Sequence, residues 1–326
     1  MTGLVDGFGR TIDYVRLSVT DRCDLRCHYC MAEEMEFLPR ADILSVEEID
    51  ALADILIARG VKRIRLTGGE PLVRRGIVEL AHRLGNKPGL DELSMTSNGT
   101  QLARFAPALA DGGIRRINIS LDSRDPSRFR AITRRGNIEQ VLGGIAAAKN
   151  AGIAVKINMV ALKGVNDCEI ADMARWCGRE GLGLTLIETM PLGEVAGQRS
   201  DYYLPLDEVI RDLGELFDLV PTLHRSGGPA RYYDVPEMGL RLGVITPLTN
   251  NFCAGCNRIR ITATGTVYGC LGHNQKVELR ELLRSDEPGA VDAALDELLA
   301  GKPRRHDFDI AARRPAVTRH MSVTGG

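Results

Sequence analysis

The run Cys23-Asp-Leu-Arg-Cys27-His-Tyr-Cys30 limits what this chain can be more than any other stretch. Before it, Val15-Arg-Leu-Ser-Val19 has the β-branched and apolar content of a short strand, and Thr20-Asp21 has turn character. The cysteines therefore share a loop. Three thiolates at this spacing can hold three irons of a cubane [4Fe–4S] cluster, whose sites take thiolate ligands. The fourth iron is then left without a protein ligand. An open position on a bound metal is a place for chemistry, as it is in catalytic zinc sites. The competing reading is a structural zinc knuckle, but zinc in such sites takes four ligands and prefers C-x2-C pairs.

Six of the eight cysteines form two triplets, Cys23/Cys27/Cys30 and Cys253/Cys256/Cys270. That usage points to metal ligation rather than to a secreted disulfide scaffold. Cys168 and Cys177 sit in a helical pattern and are expected to be plain buried thiols. The charge balance is even, 42 Lys+Arg against 43 Asp+Glu, so no overall field favours nucleic acid or a membrane surface. Basic residues cluster locally instead, at Arg63/Arg65, Arg74/Arg75, Arg134/Arg135, Arg258/Arg260, Arg304/Arg305 and Arg313/Arg314, and those beside a motif carry most weight. The N-terminal MTGLVDGFGR has no apolar core, and no run approaches the ~20 apolar residues of a membrane span. A cytoplasmic protein is expected, in a reducing compartment that keeps thiolates available.

The 326 residues allow one large α/β domain or two smaller ones. After the cysteine loop, Ser45 and Glu48 form a capping box that opens a helix to about Arg59, and the strand Lys62–Leu66 follows. Helices near 76–84, 101–110, 126–131, 138–151 and 169–180 then alternate with strands near 91–95, 116–120, 155–160 and 183–188. Such alternation predicts a parallel sheet, here an α/β fold of the incomplete (β/α)6 TIM-barrel type, with its motifs on the loops after the strands. A doubly wound sheet is the alternative, but no G-x-G-x-x-G opens a helix. The repeat fades near residue 190. Residues 1–190 are expected to form the partial barrel, and 191–326 a C-terminal subdomain that closes it. That part reads as a helix from Pro205 to Leu219, a loop at Ser226–Pro229, and short strands at 231–235, 240–245, 258–262 and 266–269. Helices near 278–284 and 290–300 precede a basic tail ending in Gly325-Gly326. A turn at Gly265 brings Cys270 back beside Cys253 and Cys256.

Thr67-Gly-Gly-Glu-Pro71 follows a strand, where glycines let the backbone approach a ligand and Glu70 offers a carboxylate to an ammonium. Arg258 and Arg260 lie two apart on a strand and face the same way; paired guanidiniums beside a cluster suit a triphosphate. Lys156 and Arg65 also lie within strands, and facing the interior is costly for them unless they meet anions. Taken alone, Ser120 and Thr96 read as strand-end hydroxyls and Met190 as core packing. The second cysteine triplet can hold another open cubane, with a zinc site using His273 as the alternative.

Arg16 with TDRCDLRCHYC, then IRLTGGEPLVRRG, TSNG, ISLDS, RFRAITRRG, VKINMVALKGVND and FCAGCNRIRITATGTVYGCL, run in this order and span nearly the whole chain with the Gly-Gly end. The combination resembles the GTP 3′,8-cyclase family of molybdenum cofactor biosynthesis, within the radical S-adenosylmethionine (SAM) superfamily. Two departures stand out: Asp24 where Asn is common, and Thr324 before the terminal Gly-Gly where an aliphatic is common. The resemblance implies a lyase with two [4Fe–4S] clusters and SAM as cofactors. Cys23, Cys27 and Cys30 would hold the SAM-cleaving cluster, and Cys253, Cys256 and Cys270 a second one that meets the purine of GTP. Tyr29, Gly69, Ser120 and Met190 match SAM-contacting positions. Arg16, Arg65, Thr96, Lys156, Asn257, Arg258 and Arg260 match GTP-contacting ones. Arg258, Arg260, Gly325 and Gly326 would serve catalysis, the tail reaching into the barrel beside the nucleotide.

In the implied reaction a 5′-deoxyadenosyl radical takes hydrogen from the ribose 3′ carbon of GTP, and the carbon radical adds to C8 of guanine. A second electron completes (8S)-3′,8-cyclo-7,8-dihydroguanosine 5′-triphosphate, the first step towards molybdopterin. Implied partners are a reductant such as a flavodoxin or ferredoxin, the downstream cyclic pyranopterin monophosphate synthase, and a second copy of the chain in a homodimer. Another radical SAM enzyme with an auxiliary cluster, such as a peptide-modifying maturase, would not require the Arg258/Arg260 pair or the Gly-Gly terminus. A zinc-stabilised nucleic-acid-binding module is opposed by the even charge and the six-unit pattern.

Overall fold

The computed structural model describes residues 3–193, 199–285, 287–312 and 314–325. Strand β1 (Tyr14–Ser18) is buried along its whole length although its residues alternate in chemistry. Side chains on a strand point to opposite faces in turn. Val15 and Leu17 join the hydrophobic core, while Arg16 turns into a central cavity. The same alternation recurs in the neighbouring strands and makes the barrel interior polar.

Helix α1 (Val46–Ala58) starts at the expected capping box: the Glu48 N–H donates to Ser45 Oγ at 3.1 Å and the Ser45 N–H to Glu48 Oε2 at 2.7 Å. It buries Ile49, Leu52, Ala53 and Leu56, an apolar stripe at helical spacing. The chain continues through β2 (Arg63–Thr67), α2 (Ile77–Gly85), β3 (Glu92–Ser97), α3 (Leu102–Asp111), β4 (Arg116–Ser120), α4 (Pro126–Thr133), α5 (Ile138–Asn150), β5 (Ala154–Ala161), α6 (Ile170–Glu180) and β6 (Gly183–Glu188). These strands pair in sequence order and in parallel, as helical crossovers require.

Beyond residue 190 the structure departs from the sequence reading. Helix α7 (Leu206–Gly214) stops at its glycine, short of Leu219, and is followed by β7 (Val220–Thr222), β8 (Arg231–Val235) and β9 (Leu240–Ile245). Then come β10 (Arg258–Ile261), β11 (Thr266–Tyr268), β12 (Lys276–Glu278), α8 (Arg280–Arg284), α9 (Ala290–Ala300) and α10 (Met321–Thr324). β7 and β12 are too short to show a period, and neither they nor the terminal helical turn were expected.

One sheet of twelve strands results, in the order β12-β11-β10-β1-β2-β3-β4-β5-β6-β9-β8-β7. β10 lies parallel to β1 and β9 parallel to β6, so the C-terminal strands extend both edges of the barrel instead of closing it. The sheet stays open because its outermost strands, β7 and β12, are short antiparallel pieces that offer little edge to pair. Chain segments after residue 190 cover the opening: the loop Ser226–Ala230, Phe252, His306, Phe308 and Met321 wall the cavity. Cys177 is buried as expected, but Cys168 is exposed, because it precedes α6 rather than sharing its inner face. No helix among the described residues is long and apolar enough to cross a membrane.

Candidate active site

The cavity has a volume of about 270 Å³, and all six cysteines of the two triplets line it. Topology sets them apart. Cys23, Cys27 and Cys30 follow the C-terminal end of β1, whereas Cys253 and Cys256 precede the parallel β10 and so lie at the opposite end. Antiparallel β11 carries the chain back to that same end at Cys270. The triplets thus face each other along roughly 15 Å of strand. Among the described residues no three Cys, His, Asp or Glu side chains are arranged to hold one metal ion. His273 lies outside the cavity wall, with its Nε2 3.1 Å from the Arg305 carbonyl oxygen. His273 is thus not placed as the fourth ligand that the zinc alternative named.

Burial pushes the Cys23 thiol up to about 12, with Glu70 adding to it, and burial lifts Cys27 well above its ordinary value. Such thiols give up their protons to a bound metal rather than to water. Burial also raises Cys256, but Arg258 and Lys302 outweigh it and bring that thiol down to about 7.

The first cysteine loop is clamped from three sides. Gly69 lies against it: its N–H donates to the Thr20 carbonyl and the Glu70 N–H to the Arg22 carbonyl, both at 2.8 Å. Asp24 accepts from Asn98 Nδ2 and from Thr100 Oγ1, both at 2.6 Å. The Tyr29 hydroxyl donates to Asp122 Oδ2 at 2.5 Å, and Asp122 Oδ1 also takes the Val160 N–H at 2.8 Å. Glu70 does not offer its carboxylate to the cavity, contrary to the sequence reading. It is fully buried and accepts from the Leu72 N–H, Ser97 Oγ and the Asn98 N–H, so it ties two strand-end loops together. Burial raises its pKa to about 7.

In the middle of the cavity the register of three strands sets Arg260, Arg16 and Arg65 side by side. Their exposures are 7%, 8% and 6%. Burial, reinforced by neighbouring arginines, pulls Arg16 down to about 10 and Arg260 well below its ordinary value. A guanidinium stays charged even so, and the shift reflects a site short of anions. Arg16 Nε, Thr96 Oγ1, Asn118 Oδ1 and Asn158 Oδ1 are buried without hydrogen-bond partners, and all four residues line the cavity. Lys156 points in from β5; burial, then Arg65, Arg116 and Arg16, lower it to about 7, and its Nζ reaches the Tyr232 hydroxyl at 3.3 Å.

Tyr29, Gly69, Ser120 and Met190 also line the cavity, as do Thr96 and Arg258. Asn257 is not brought into the wall: its amide donates to Asp13 Oδ1 at 2.6 Å and to the Gly227 carbonyl at 3.4 Å. Gly325 stands just behind the wall, where its carbonyl accepts from Arg260 Nη1. Gly326 lies outside the described residues. Asp122, Asn98 and Tyr232 were missed in the sequence. Asp122 and Asn98 end strand motifs that could have marked them, whereas nothing marks Tyr232.

A Cβ on Gly69 would lie 2.3 Å from the Arg22 carbonyl oxygen and 2.7 Å from that of Asp21, both backbone atoms. Gly69→Ala should therefore displace the Cys23–Cys30 loop. Iron analysis should find only the metal held by the second triplet; full iron content would show that the loop tolerates the methyl group. Lys156 yields a pH prediction. With its pKa near 7 before a polyanion binds and higher afterwards, binding takes up a proton above pH 7. Affinity for tripolyphosphate should fall as pH rises from 7 to 9, and this lysine adds no slope well below pH 7. Calorimetry at pH 8 in buffers of different ionisation enthalpy should register uptake that Lys156→Met abolishes.

The chain matches the family described as the radical SAM superfamily over residues 17–177 and the one described as Molybdenum Cofactor Synthesis C over residues 182–308. It is 57% identical to the GTP 3′,8-cyclase of Erythrobacter litoralis over 99% of this chain and 98% of that one. The GTP 3′,8-cyclase of Rhodopseudomonas palustris is 56% identical, covering 99% of this chain and 96% of its own. Among solved structures, Streptococcus suis SuiB bound to S-adenosylmethionine superposes with a TM-score of 0.60 at 16% identity, over 92% of this chain and 75% of that one, a likeness of fold. The chain belongs to the GTP 3′,8-cyclase family of the radical SAM superfamily.

Proposed function

We propose that the cavity takes SAM at the Cys23/Cys27/Cys30 end and GTP towards the Cys253/Cys256/Cys270 end. The enzyme converts GTP to (8S)-3′,8-cyclo-7,8-dihydroguanosine 5′-triphosphate in molybdenum cofactor biosynthesis. The observation that carries this is the row Arg260–Arg16–Arg65, buried between the two triplets. Three neighbouring like charges inside a protein are costly until a polyanion meets them. When bound, the clusters and SAM supply the one-electron chemistry that removes hydrogen from the ribose and lets C3′ close onto C8.

The chain's own residues bind and orient. Arg16, Arg65, Arg258, Arg260 and Lys156 neutralise the triphosphate, and the orphaned Thr96 hydroxyl takes a polar edge of the nucleotide. Tyr29, held by Asp122, and Gly69, Ser120 and Met190 seat SAM. The apolar faces of Met190, Phe252 and Met321 keep water from the reacting carbons. Gly325 sets Arg260, whose guanidinium it engages through its carbonyl. In this reading residues 1–190 supply the SAM half, and residues 191–326 the second cluster and the tail. A small electron carrier such as a flavodoxin or ferredoxin, a cytoplasmic location, a homodimer and consumption of the product by the downstream synthase complete it.

Anaerobic reconstitution with iron, sulfide, GTP, SAM and a reductant should yield 5′-deoxyadenosine and the cyclised nucleotide together. A protein that takes up zinc and no iron would overturn the reading. Arg16→Met should weaken GTP binding by about 1.5–3 kcal/mol, the size of a lost charge-assisted contact. The same change should raise the melting temperature of the ligand-free protein, since it removes a buried charge whose Nε has no partner. A fall in both would show that Arg16 is a structural residue.

A further inference from the structure

The reaction above makes no use of Lys302, which follows α9 in Gly301-Lys302-Pro303. It is 2% exposed. Its Nζ donates to the Gly269 carbonyl oxygen at 2.7 Å and to Cys256 Sγ at 3.5 Å. Among the described residues no carboxylate takes part in its hydrogen bonding. A buried ammonium without a counter-charge is costly, and the cost is offset when the sulfur beside it is a thiolate.

The surroundings of the two triplets differ in their balance of charge. Beside the first, Asp24 adjoins Cys23, to which Asn98 Nδ2 also reaches at 3.8 Å, and buried Glu70 and Asp122 stand close by. Against them stands one buried cation, Arg26, whose Nη1 donates to the Cys23 carbonyl oxygen at 2.6 Å. Around the second triplet each cysteine has its own cation. Arg10 Nη1 donates to the Cys253 carbonyl oxygen at 2.7 Å, and Arg319 Nη2 to that of Cys270 at 3.3 Å. The charge of Arg10 is met by Asp6 at 2.6 Å, and Arg319 lies on the Tyr268 ring at 3.9 Å. Of Arg10, Arg319 and Lys302, Lys302 is the one that hydrogen-bonds a sulfur, and Arg258 also acts on that same Cys256 sulfur.

We propose that Lys302 is a positioning residue for charge: it raises the reduction potential of the cluster held by Cys253, Cys256 and Cys270 and makes that cluster the easier of the two to reduce. Hydrogen bonds to the ligating sulfur and nearby positive charge stabilise the electron-rich state of an iron–sulfur cluster. Reduction adds one electron from an external reductant, with no bond made or broken and no proton moved. The inference rests on the two-cluster reading.

The test uses the full chain with Cys23, Cys27 and Cys30 replaced by alanine, so that only the second cluster contributes. Iron and sulfide are assayed, and a dithionite titration is then followed by electron paramagnetic resonance. Lys302→Met should load the cluster and shift its potential to more negative values, while Lys302→Arg should stay close to the parent. Loss of the cluster in Lys302→Met with retention in Lys302→Arg would also support the role of the charge. An unmoved potential in a fully loaded Lys302→Met protein overturns the proposal. So does an equal shift, or equal loss of iron, in both variants, which would make the residue a packing element. Absence of iron in the parent before any change at Lys302 would overturn the two-cluster reading and this inference with it, so the two failures are distinguishable.

Discussion

The pairing of β10 with β1 is the constraint on which the rest of the site depends. It joins Arg16 to Arg260 across most of the sequence, in parallel register. Parallel register decides which end of the sheet each cysteine triplet occupies, because one triplet follows its strand and the other precedes it. An antiparallel pairing would have put both triplets at the same rim and left the arginines without a cavity between them. The site is therefore a consequence of strand direction as much as of residue identity. β11 completes it by reversing the chain, which returns Cys270 to the rim it shares with Cys256.

That arrangement has an energetic consequence. Arg16, Arg65 and Arg260 sit in one row, and their nearest relief is modest. The Tyr14 ring lies 6.0 Å from Arg16 and 5.4 Å from Arg65, and Ser94 Oγ accepts from Arg65 Nε at 3.4 Å. Neither an aromatic face nor a hydroxyl neutralises a guanidinium. The ligand-free fold therefore holds a charge excess that a bound polyanion would cancel, at a cost to stability in its absence. The hydrophobic layer behind the strands, with Val15, Leu17, Ile64 and Leu66 fully buried or nearly so, offsets this strain.

Much of this was legible in the sequence, for physical reasons. The βα alternation up to residue 190 carries long apolar periods, so the parallel strands and their helices fell close to where the pattern put them. The cysteine spacing named its own chemistry, and Arg65 and Lys156 declared themselves as charges on strands that had to be interior. What escaped were long-range pairings and short elements. Nothing local shows that Leu240–Ile245 lies parallel to β6, or that β10 joins β1, because a sheet edge is chosen by the whole fold. Lys302 escaped for the same reason: a single lysine between glycine and proline has meaning only once Cys256 is beside it. Glu70 was misjudged because its motif suggests a ligand contact, whereas three buried donors had first claim on its oxygens.

The two departures from the family's pattern yield to the same kind of argument. Asp24 receives only donors, the Asn98 amide on one oxygen and the Thr100 hydroxyl on the other. An acceptor-only carboxylate suits that pair, whereas an asparagine would turn an NH2 group towards one of them unless Asn98 or Thr100 reoriented. Thr324 is less comfortable: it is fully buried and its Oγ1 has no partner. A hydroxyl there bears a desolvation cost of about 1–3 kcal/mol that an aliphatic side chain would avoid. The next residue shows why the tail stays docked even so. Gly325 has a φ of 72°, and a Cβ on it would lie 2.1 Å from the Thr67 side chain. Glycine alone fits that close approach to β2 without strain, and it places its carbonyl on the same arginine that joins β10 to β1. The tail thus ends on the interaction that organises the cavity, which gives its glycine a physical reason independent of any terminal disorder.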